Sequence, residues 1–270
     1  MKKIGFIGAG QMAGAMITGI LKAGLTSTEN MIASATTEET IDKIKRDYRI
    51  IATLDNQEVA QFSDIVILAV PPDAQLKVME EIRGAIDPDT IVVTIAAGIT
   101  LQTMEKALGQ KIKAVRSMPN TPALVGEGMS VLCANESVSE TDREVVDQLF
   151  RSFGKAEWLE ESVMDAVPAI SGSSPAYIYM IIEALADGGV LDGIPRDKAY
   201  RLAAQAVLGA AKMVLETGIH PGVLKDQVCT PGGTTIEAVA MLERKQLRGT
   251  ILAGMESCTQ KTKELSKNED

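Results

Sequence analysis

A glycine-rich turn close to the N-terminus limits the folds open to this chain. The first apolar run, Ile4–Ile7, leads directly into Gly8-Ala9-Gly10-Gln11-Met12-Ala13, and a helical pattern follows over residues 11–23. In a strand–turn–helix of this type the first glycine permits a tight turn, the second lets a pyrophosphate approach the backbone, and the alanine keeps helix and strand close. This G-x-G-x-x-A pattern therefore predicts a dinucleotide-binding unit.

Short β-rich runs alternate with helical patterns as far as about Glu157. These runs cover residues 4–7, 31–34, 65–70, 91–95 and 112–117. Two of them, 65–70 and 91–95, are apolar or β-branched throughout, which is typical of strands covered by helices on both faces. The alternation predicts βαβ units and a parallel sheet, which short runs at 130–133 and 156–158 extend.

The sequence changes after about Glu161, where Ala, Gly, Met and Leu dominate and β-branched runs disappear. Breaks at residues 193–195 and 218–222 separate long helical segments. We predict an α/β Rossmann-type nucleotide-binding domain over residues 1–161, followed by an all-α helical substrate and dimerisation domain over 162–270. Small residues lie on several faces of the predicted helix 199–215, which is either an ordinary buried helix or, as we favour, one interleaved with a partner subunit.

The composition restricts the partners. A formal net charge of −9 and no run of Lys and Arg argue against nucleic-acid binding. Three cysteines and a single histidine are too few for a disulfide framework or a histidine-based metal site, so no metal is expected. The early glycines interrupt the first apolar run, so neither a signal peptide nor a membrane span is expected. We expect a soluble, cytoplasmic protein that acts on a small molecule.

The end of the second predicted strand bears on the choice of cofactor. NAD enzymes usually place an acidic residue there for the ribose hydroxyls, whereas this strand ends Ala33-Ser34-Ala35-Thr36-Thr37. Ser34, Thr36 and Thr37 could donate hydrogen bonds to a 2′-phosphate, or they could cap the next helix. No Arg is present to pair with the phosphate charge. NADP(H) is therefore the preferred cofactor, with NAD(H) as a second candidate.

Two further turns follow predicted strands at the same edge of the sheet, at residues 69–72 and 96–98. Their small side chains leave room for nicotinamide and ribose. Together with the glycine turn and Ser34, they give these candidate cofactor-binding residues: Ile7, Gly8, Ala9, Gly10, Gln11, Met12, Ser34, Ala69, Val70, Pro71, Ala96, Ala97 and Gly98.

Three polar turns rich in Gly and Pro lie elsewhere, at residues 118–122, 171–177 and 229–235. Backbone N–H groups and hydroxyls at helix or strand ends suit a small carboxylate. Taken singly, each turn is more often a helix cap than a ligand site, because Ser, Thr, Pro and Gly are the usual capping residues. Their occurrence together favours a substrate site.

These motifs resemble the pyrroline-5-carboxylate reductase family almost end to end. The segments that carry the resemblance are residues 5–10 with 12–13, 96–98, 118–122, 171–173 with 175–177, 186–189, 220–222 with 224–226, and 231–233 with Thr235. The resemblance implies reduction of 1-pyrroline-5-carboxylate to L-proline by hydride transfer from NADPH or NADH, the last step of proline biosynthesis. It also implies a homodimer with interlocked helical domains, sometimes assembled into a larger homo-oligomer.

The resemblance assigns roles to single residues. It implies that Ser34 and Asn56 touch the adenosine end of the cofactor and that Thr235, near the ring nitrogen, is the polar catalytic group. A hydroxyl suffices there because a protonated C=N bond accepts hydride readily once it is positioned. The implied substrate-binding residues are Asn120, Ser173, Thr230, Gly232, Gly233, Thr234 and Thr235.

Two positions depart from the family pattern. The family often has Lys where Pro71 stands, so one phosphate partner is missing. It often has Gly where Ser174 stands, and serine would be disfavoured there if the turn needed positive φ.

Other functions remain open. A β-hydroxyacid reductase shares the two-domain plan but carries a catalytic Lys soon after its Gly-rich turn, and residues 171–185 contain no Lys. Another two-domain NAD(P)-dependent imine reductase is a further alternative. A non-catalytic NADP(H)-binding sensor would lack an organised second polar site, and a scaffold that only dimerises would leave the glycine turn unexplained. The favoured prediction is an NAD(P)H-dependent oxidoreductase acting on a C=N bond.

Overall fold

The computed structural model describes residues 1–109 and 112–267. The chain forms two compact units: residues 1–173 with the C-terminal segment from Ser257 onward, and residues 174–256.

The first unit is built on an eight-stranded sheet with the strand order β3-β2-β1-β4-β5-β6-β7-β8. Its strands are β1 Ile4–Ile7, β2 Met31–Ser34, β3 Ile51–Thr53, β4 Ile65–Leu68, β5 Ile91–Thr94, β6 Lys113–Met118, β7 Gly128–Ala134 and β8 Gly154–Trp158. Its helices are α1 Gln11–Lys22, α2 Glu38–Tyr48, α3 Asn56–Phe62, α4 Pro72–Ile82, α5 Leu101–Leu108 and α6 Glu140–Arg151. The predicted α/β Rossmann-type domain is confirmed.

Alternating side chains of the central strands supply two hydrophobic layers, one on each face of the sheet. Ile4 and Phe6 of β1 pack with Met16 of α1 on one face. Ile7 of the same strand joins Met79 of α4 on the other. Every residue of β1, β2, β4 and β5 is buried, because a strand covered on both faces exposes no side chain.

The sheet differs from the predicted one at its two ends. The edge strand β3 was not predicted. Strands β1 to β6 pair in parallel as expected, but β7 runs antiparallel to β6 and β8 runs parallel to β7. The sheet is therefore mixed beyond β6.

The segment after β8 belongs to the first compact unit. Met164 and Val167 are buried among core residues of the sheet, and Asp165 accepts a 2.6 Å hydrogen bond from the Arg116 guanidinium of β6. Near the C-terminus, the Ser266 hydroxyl also donates to Asp165, at 3.2 Å. These contacts explain why the compact unit extends past the proposed 161/162 domain boundary.

The second unit is entirely helical, as predicted. It contains α7 Ser174–Leu191, α8 Arg196–Thr217, α9 Pro221–Val228 and α10 Thr234–Arg244, and α11 Leu247–Lys267 begins in it. Small residues allow α7 and α8 to approach, since a Cβ on Gly189 would lie 3.5 Å from the Cβ of Ala199. Within the described residues, no helix is both long and apolar enough to cross a bilayer.

Candidate functional site

A crevice of about 900 Å³ runs along the carboxyl ends of the central strands in the first unit. The strand order reverses direction between β1 and β4, and such a switch point is where doubly wound sheets bind dinucleotides. The lining residues are Gly8, Ala9, Gly10, Gln11, Met12, Ala13, Ser34, Ala35, Thr36, Thr40, Leu54, Asn56, Ala69, Val70, Pro71, Pro72, Ala74, Lys77, Val78, Glu81, Ile95, Ala96 and Ala97.

The two glycines of the turn meet different requirements. Gly8 has a φ of +93°, and a Cβ there would lie 2.8 Å from the carbonyl oxygen of Ala69. Gly10 is the N-cap of α1 with a φ of −73° and no side-chain cap. The position that its Cβ would take has nothing within 4 Å. This open, uncapped helix start fits the pyrophosphate of a dinucleotide.

The predicted cofactor residues line this crevice, with the exceptions of Ile7 and Gly98. The Ile7 side chain is buried in the core, and its carbonyl accepts a 2.8 Å hydrogen bond from the Ala69 N–H. Gly98 has a φ of +87°, and a Cβ there would approach Leu265 of α11 to 3.2 Å. These two residues therefore do not line the crevice, because the Ile7 side chain faces the core and Gly98 faces α11.

Hydrogen bonds connect the side chains at the end of the crevice next to β2. The buried Ser34 hydroxyl donates to Oδ1 of Asn56 at 2.7 Å, and Nδ2 of Asn56 donates to Oε2 of Glu81 at 3.0 Å. Thr36 lines the crevice. Thr37 instead caps α2 by accepting the Thr40 N–H at 3.3 Å, so the capping interpretation holds at that position.

Two charged lining residues, Lys77 and Glu81, were not predicted. Lys77 is the single cationic side chain among the described residues that line the crevice. Both residues lie on α4 with Ala74 and Val78, at the spacing that places residues on one helix face. That spacing is visible in the sequence. Pro71 stands where the family often has Lys, but Lys77 on the following helix provides a cation in this crevice.

The polar turns of the first unit hold each other in place. Asn120 follows β6, and its Nδ2 donates to the Ser171 carbonyl at 2.9 Å while its Oδ1 accepts the Met129 N–H at 2.8 Å. The backbone N–H of Ser173 donates to the Pro168 carbonyl at 2.7 Å. Asn120 therefore braces the turn that carries Ser173.

The serine at position 174 causes no strain. Ser174 is the first residue of α7. In the described parts of the chain, positive φ outside glycine occurs only at Arg49 and Gln246. This turn therefore does not require a glycine at position 174.

In the second unit, a tight turn precedes α10. The Gly233 N–H donates to the Thr230 carbonyl at 3.0 Å, and Gly232 has a φ of +68°. Gly233 is the N-cap and provides no side-chain hydrogen bond to the first turn of the helix. The helix start therefore offers N–H groups to an anion, with the half-buried Thr235 as its second residue.

Comparisons with known proteins agree with both units. Residues 161–265 match the family model for pyrroline-5-carboxylate reductase dimerisation, and residues 3–98 match that for NADP oxidoreductase, coenzyme F420-dependent. The pyrroline-5-carboxylate reductase of Escherichia coli K12 is 47% identical over 267 residues, covering 99% of each chain. That of Arabidopsis thaliana is 40% identical, covering 98% of this chain and 96% of the relative.

Solved structures give the same result. A pyrroline-5-carboxylate reductase from Coxiella burnetii has a TM-score of 0.92 at 34% identity, covering 98% of both chains. Pyrroline carboxylate reductase from Plasmodium falciparum, with NADP bound, has a TM-score of 0.89 at 32% identity, also covering 98% of both chains.

Proposed function

This chain belongs to the pyrroline-5-carboxylate reductase family, and we propose which of its residues perform that family's reaction. It is an NAD(P)H-dependent oxidoreductase that reduces 1-pyrroline-5-carboxylate to L-proline, the last step of proline biosynthesis. When bound, the dinucleotide supplies the hydride. The observation that carries our assignment of its site is the crevice at the switch point of the sheet, with open space over Gly10.

The first unit holds the cofactor. The uncapped start of α1 binds the pyrophosphate through backbone N–H groups, because these groups carry the positive end of the helix dipole. Ser34 and Asn56 hold the adenosine ribose. The small side chains of Ala96 and Ala97 leave space for the nicotinamide ring, and Ala69, Val70 and Pro71 form the wall between the two ends.

The second unit holds the substrate carboxylate. The turn Thr230–Gly233 presents the start of α10, where the N–H groups of Thr234 and Thr235 are not satisfied by a side-chain cap. The Thr235 hydroxyl orients the imine nitrogen or assists its protonation, which makes the neighbouring carbon a better hydride acceptor. Positioning, more than strong acid catalysis, is the contribution of these residues. In the first unit, Asn120 and Ser173 are also assigned to substrate binding.

Replacing Thr235 with valine tests this assignment. The shape of the side chain is kept while the hydroxyl is lost, so we expect kcat/KM for the imine to fall by about 10- to 100-fold. The Kd for NADP⁺, measured by fluorescence titration, should stay unchanged. Thr235→Ser restores the hydroxyl and should recover most of the rate. Wild-type turnover in Thr235→Val would remove Thr235 from the mechanism.

The helical unit lacks a core of its own. Across residues 174–256, all of which the structure describes, the buried apolar side chains are Ala186, Ala199 and Ala203. Large apolar residues are exposed instead, with Leu191 at 88% and Leu215 at 80%. A unit of this size needs far more buried apolar surface to be stable. These exposures support a homodimer with interlocked helical domains, which we place in the cytoplasm.

A charge in the middle of α8 tests the dimer. Leu208 is 55% exposed in the single chain and lies beside Gly209 and Ala210. The wild type should sediment at twice the monomer mass of 28.7 kDa or a larger multiple. Leu208→Glu should shift it toward monomer by burying an unpaired charge, whereas Gln61→Glu, on an exposed position of α3, should not. A monomeric wild type would contradict the proposal.

A further inference from the structure

The hydrogen bonds that join Ser34, Asn56 and Glu81 have a fixed direction. An asparagine amide has one donating and one accepting end, whereas a carboxylate only accepts. Nδ2 of Asn56 must therefore face Oε2 of Glu81, 3.0 Å away. Oδ1 then faces Ser34, and the Ser34 hydroxyl has to donate its hydrogen across the 2.7 Å contact.

This direction decides what Ser34 offers to a ribose. Its only hydrogen is used by Asn56, so the oxygen can accept a hydrogen bond but cannot donate one. A ribose 2′-hydroxyl donates and is satisfied by such an oxygen. A 2′-phosphate is mostly dianionic at neutral pH and only accepts. The Ser34 hydroxyl cannot donate to this phosphate, because its hydrogen is already bonded to Asn56. The negatively charged Glu81 carboxylate also lines the crevice.

Two side chains of opposite charge line this crevice. Lys77 and Glu81 are one helical turn apart on α4, and both are exposed and line the crevice. Lys77 attracts a 2′-phosphate, whereas Glu81 repels it and also sets the orientation of Asn56. The balance between these two opposite charges therefore bears on the relative affinity for the two cofactors.

We propose that Glu81 is a specificity-determining residue that raises the affinity for NAD(H) relative to NADP(H), acting through Asn56 and Ser34 and through its own charge. This inference rests on the proposed cofactor crevice. It does not depend on the identity of the imine, so a binding experiment separates its failure from failure of the reaction assignment.

Two fragments of the cofactors isolate the adenosine end. Adenosine 2′,5′-bisphosphate carries the 2′-phosphate and adenosine 5′-monophosphate carries the 2′-hydroxyl, and calorimetry on the full chain gives a Kd for each. Glu81→Gln removes the negative charge and allows the Asn56 amide to rotate by 180°. We therefore expect the bisphosphate to bind about tenfold more tightly than to wild type. The Kd of the monophosphate should stay within about twofold of wild type.

Glu80→Gln is the matched control. Glu80 is the neighbouring exposed residue of α4 and does not line the crevice. It makes the same change in net charge, so both Kd values should remain within about twofold of wild type. If Glu81→Gln leaves the ratio of the two Kd values as it is in Glu80→Gln, the proposal is overturned.

Ser34→Ala tests the direction of the hydrogen bonds separately. If Ser34 acts as an acceptor, its removal weakens the monophosphate more than the bisphosphate. The opposite order of losses would mean that Ser34 donates to the phosphate, and the proposed direction would be wrong. Unchanged melting temperatures show that the variants remain folded.

Discussion

Gly10→Val leaves the fold stable and weakens NADPH binding by at least about 100-fold, which corresponds to about 2.7 kcal/mol. Gly10 has a φ of −73°, which any residue adopts. The space that its Cβ would enter is open, so the free protein tolerates the larger side chain. That space lies over the start of α1, where the pyrophosphate has to approach the backbone. The Kd for NADPH and the melting temperature measure the two effects separately.

Gly8 provides the contrast. Its φ of +93° is unfavourable for any side chain, and a Cβ would lie 2.8 Å from the Ala69 carbonyl oxygen. Gly8→Ala should therefore lower the free energy of unfolding by about 2–3 kcal/mol. One glycine is thus required by the fold and the other by the ligand. Wild-type NADPH affinity in Gly10→Val, or wild-type stability in Gly8→Ala, would contradict this account of the turn.

Arg116→Met lowers the free energy of unfolding by about 2 kcal/mol, between the values for a fully buried and an exposed ion pair. The Arg116 side chain is 5% exposed and lies 2.6 Å from Asp165 and 3.7 Å from Glu161. Removing the guanidinium leaves two partly exposed carboxylates without their cation, at 28% exposure for Asp165 and 35% for Glu161. Because Ser266 also bonds to Asp165, the loss should loosen the attachment of the C-terminal end of α11. Urea unfolding measures the change.

Two further variants separate the buried ion pair from a general charge effect. Arg116→Met combined with Asp165→Asn should recover part of the loss, since the unpaired carboxylate is removed as well. Arg46→Met removes an exposed guanidinium that pairs with Asp47, and it should cost less than about 0.5 kcal/mol. Equal losses for Arg116→Met and Arg46→Met would show that burial of Arg116 contributes nothing.

The central sheet could be predicted because β1, β2, β4 and β5 are buried on both faces and therefore consist almost entirely of apolar or β-branched residues. The edge strand β3 has three residues, and its Ile51 is 39% exposed, so no such run marks it. The antiparallel direction of β7 could have been predicted from the sequence. The connection over residues 119–127 is too short for a parallel crossover.

The site was predictable where its residues directly follow strands, as in the glycine turn and at residues 69–71 and 96–97. Lys77 and Glu81 lie inside a helix. Which face of a helix lines a crevice can be identified only when its packing on the sheet is known. Ser34 and Asn56 are 22 residues apart and Asn56 and Glu81 are 25 apart, so their hydrogen bonds exist only in the tertiary structure.

The most direct test of the assigned reaction is the initial rate of NADPH oxidation, and separately of NADH oxidation, by the purified protein with 1-pyrroline-5-carboxylate, with the product identified. We predict L-proline formed in a one-to-one ratio with the cofactor consumed. Folded protein that binds NADPH but forms no proline with either cofactor would contradict the assigned reaction.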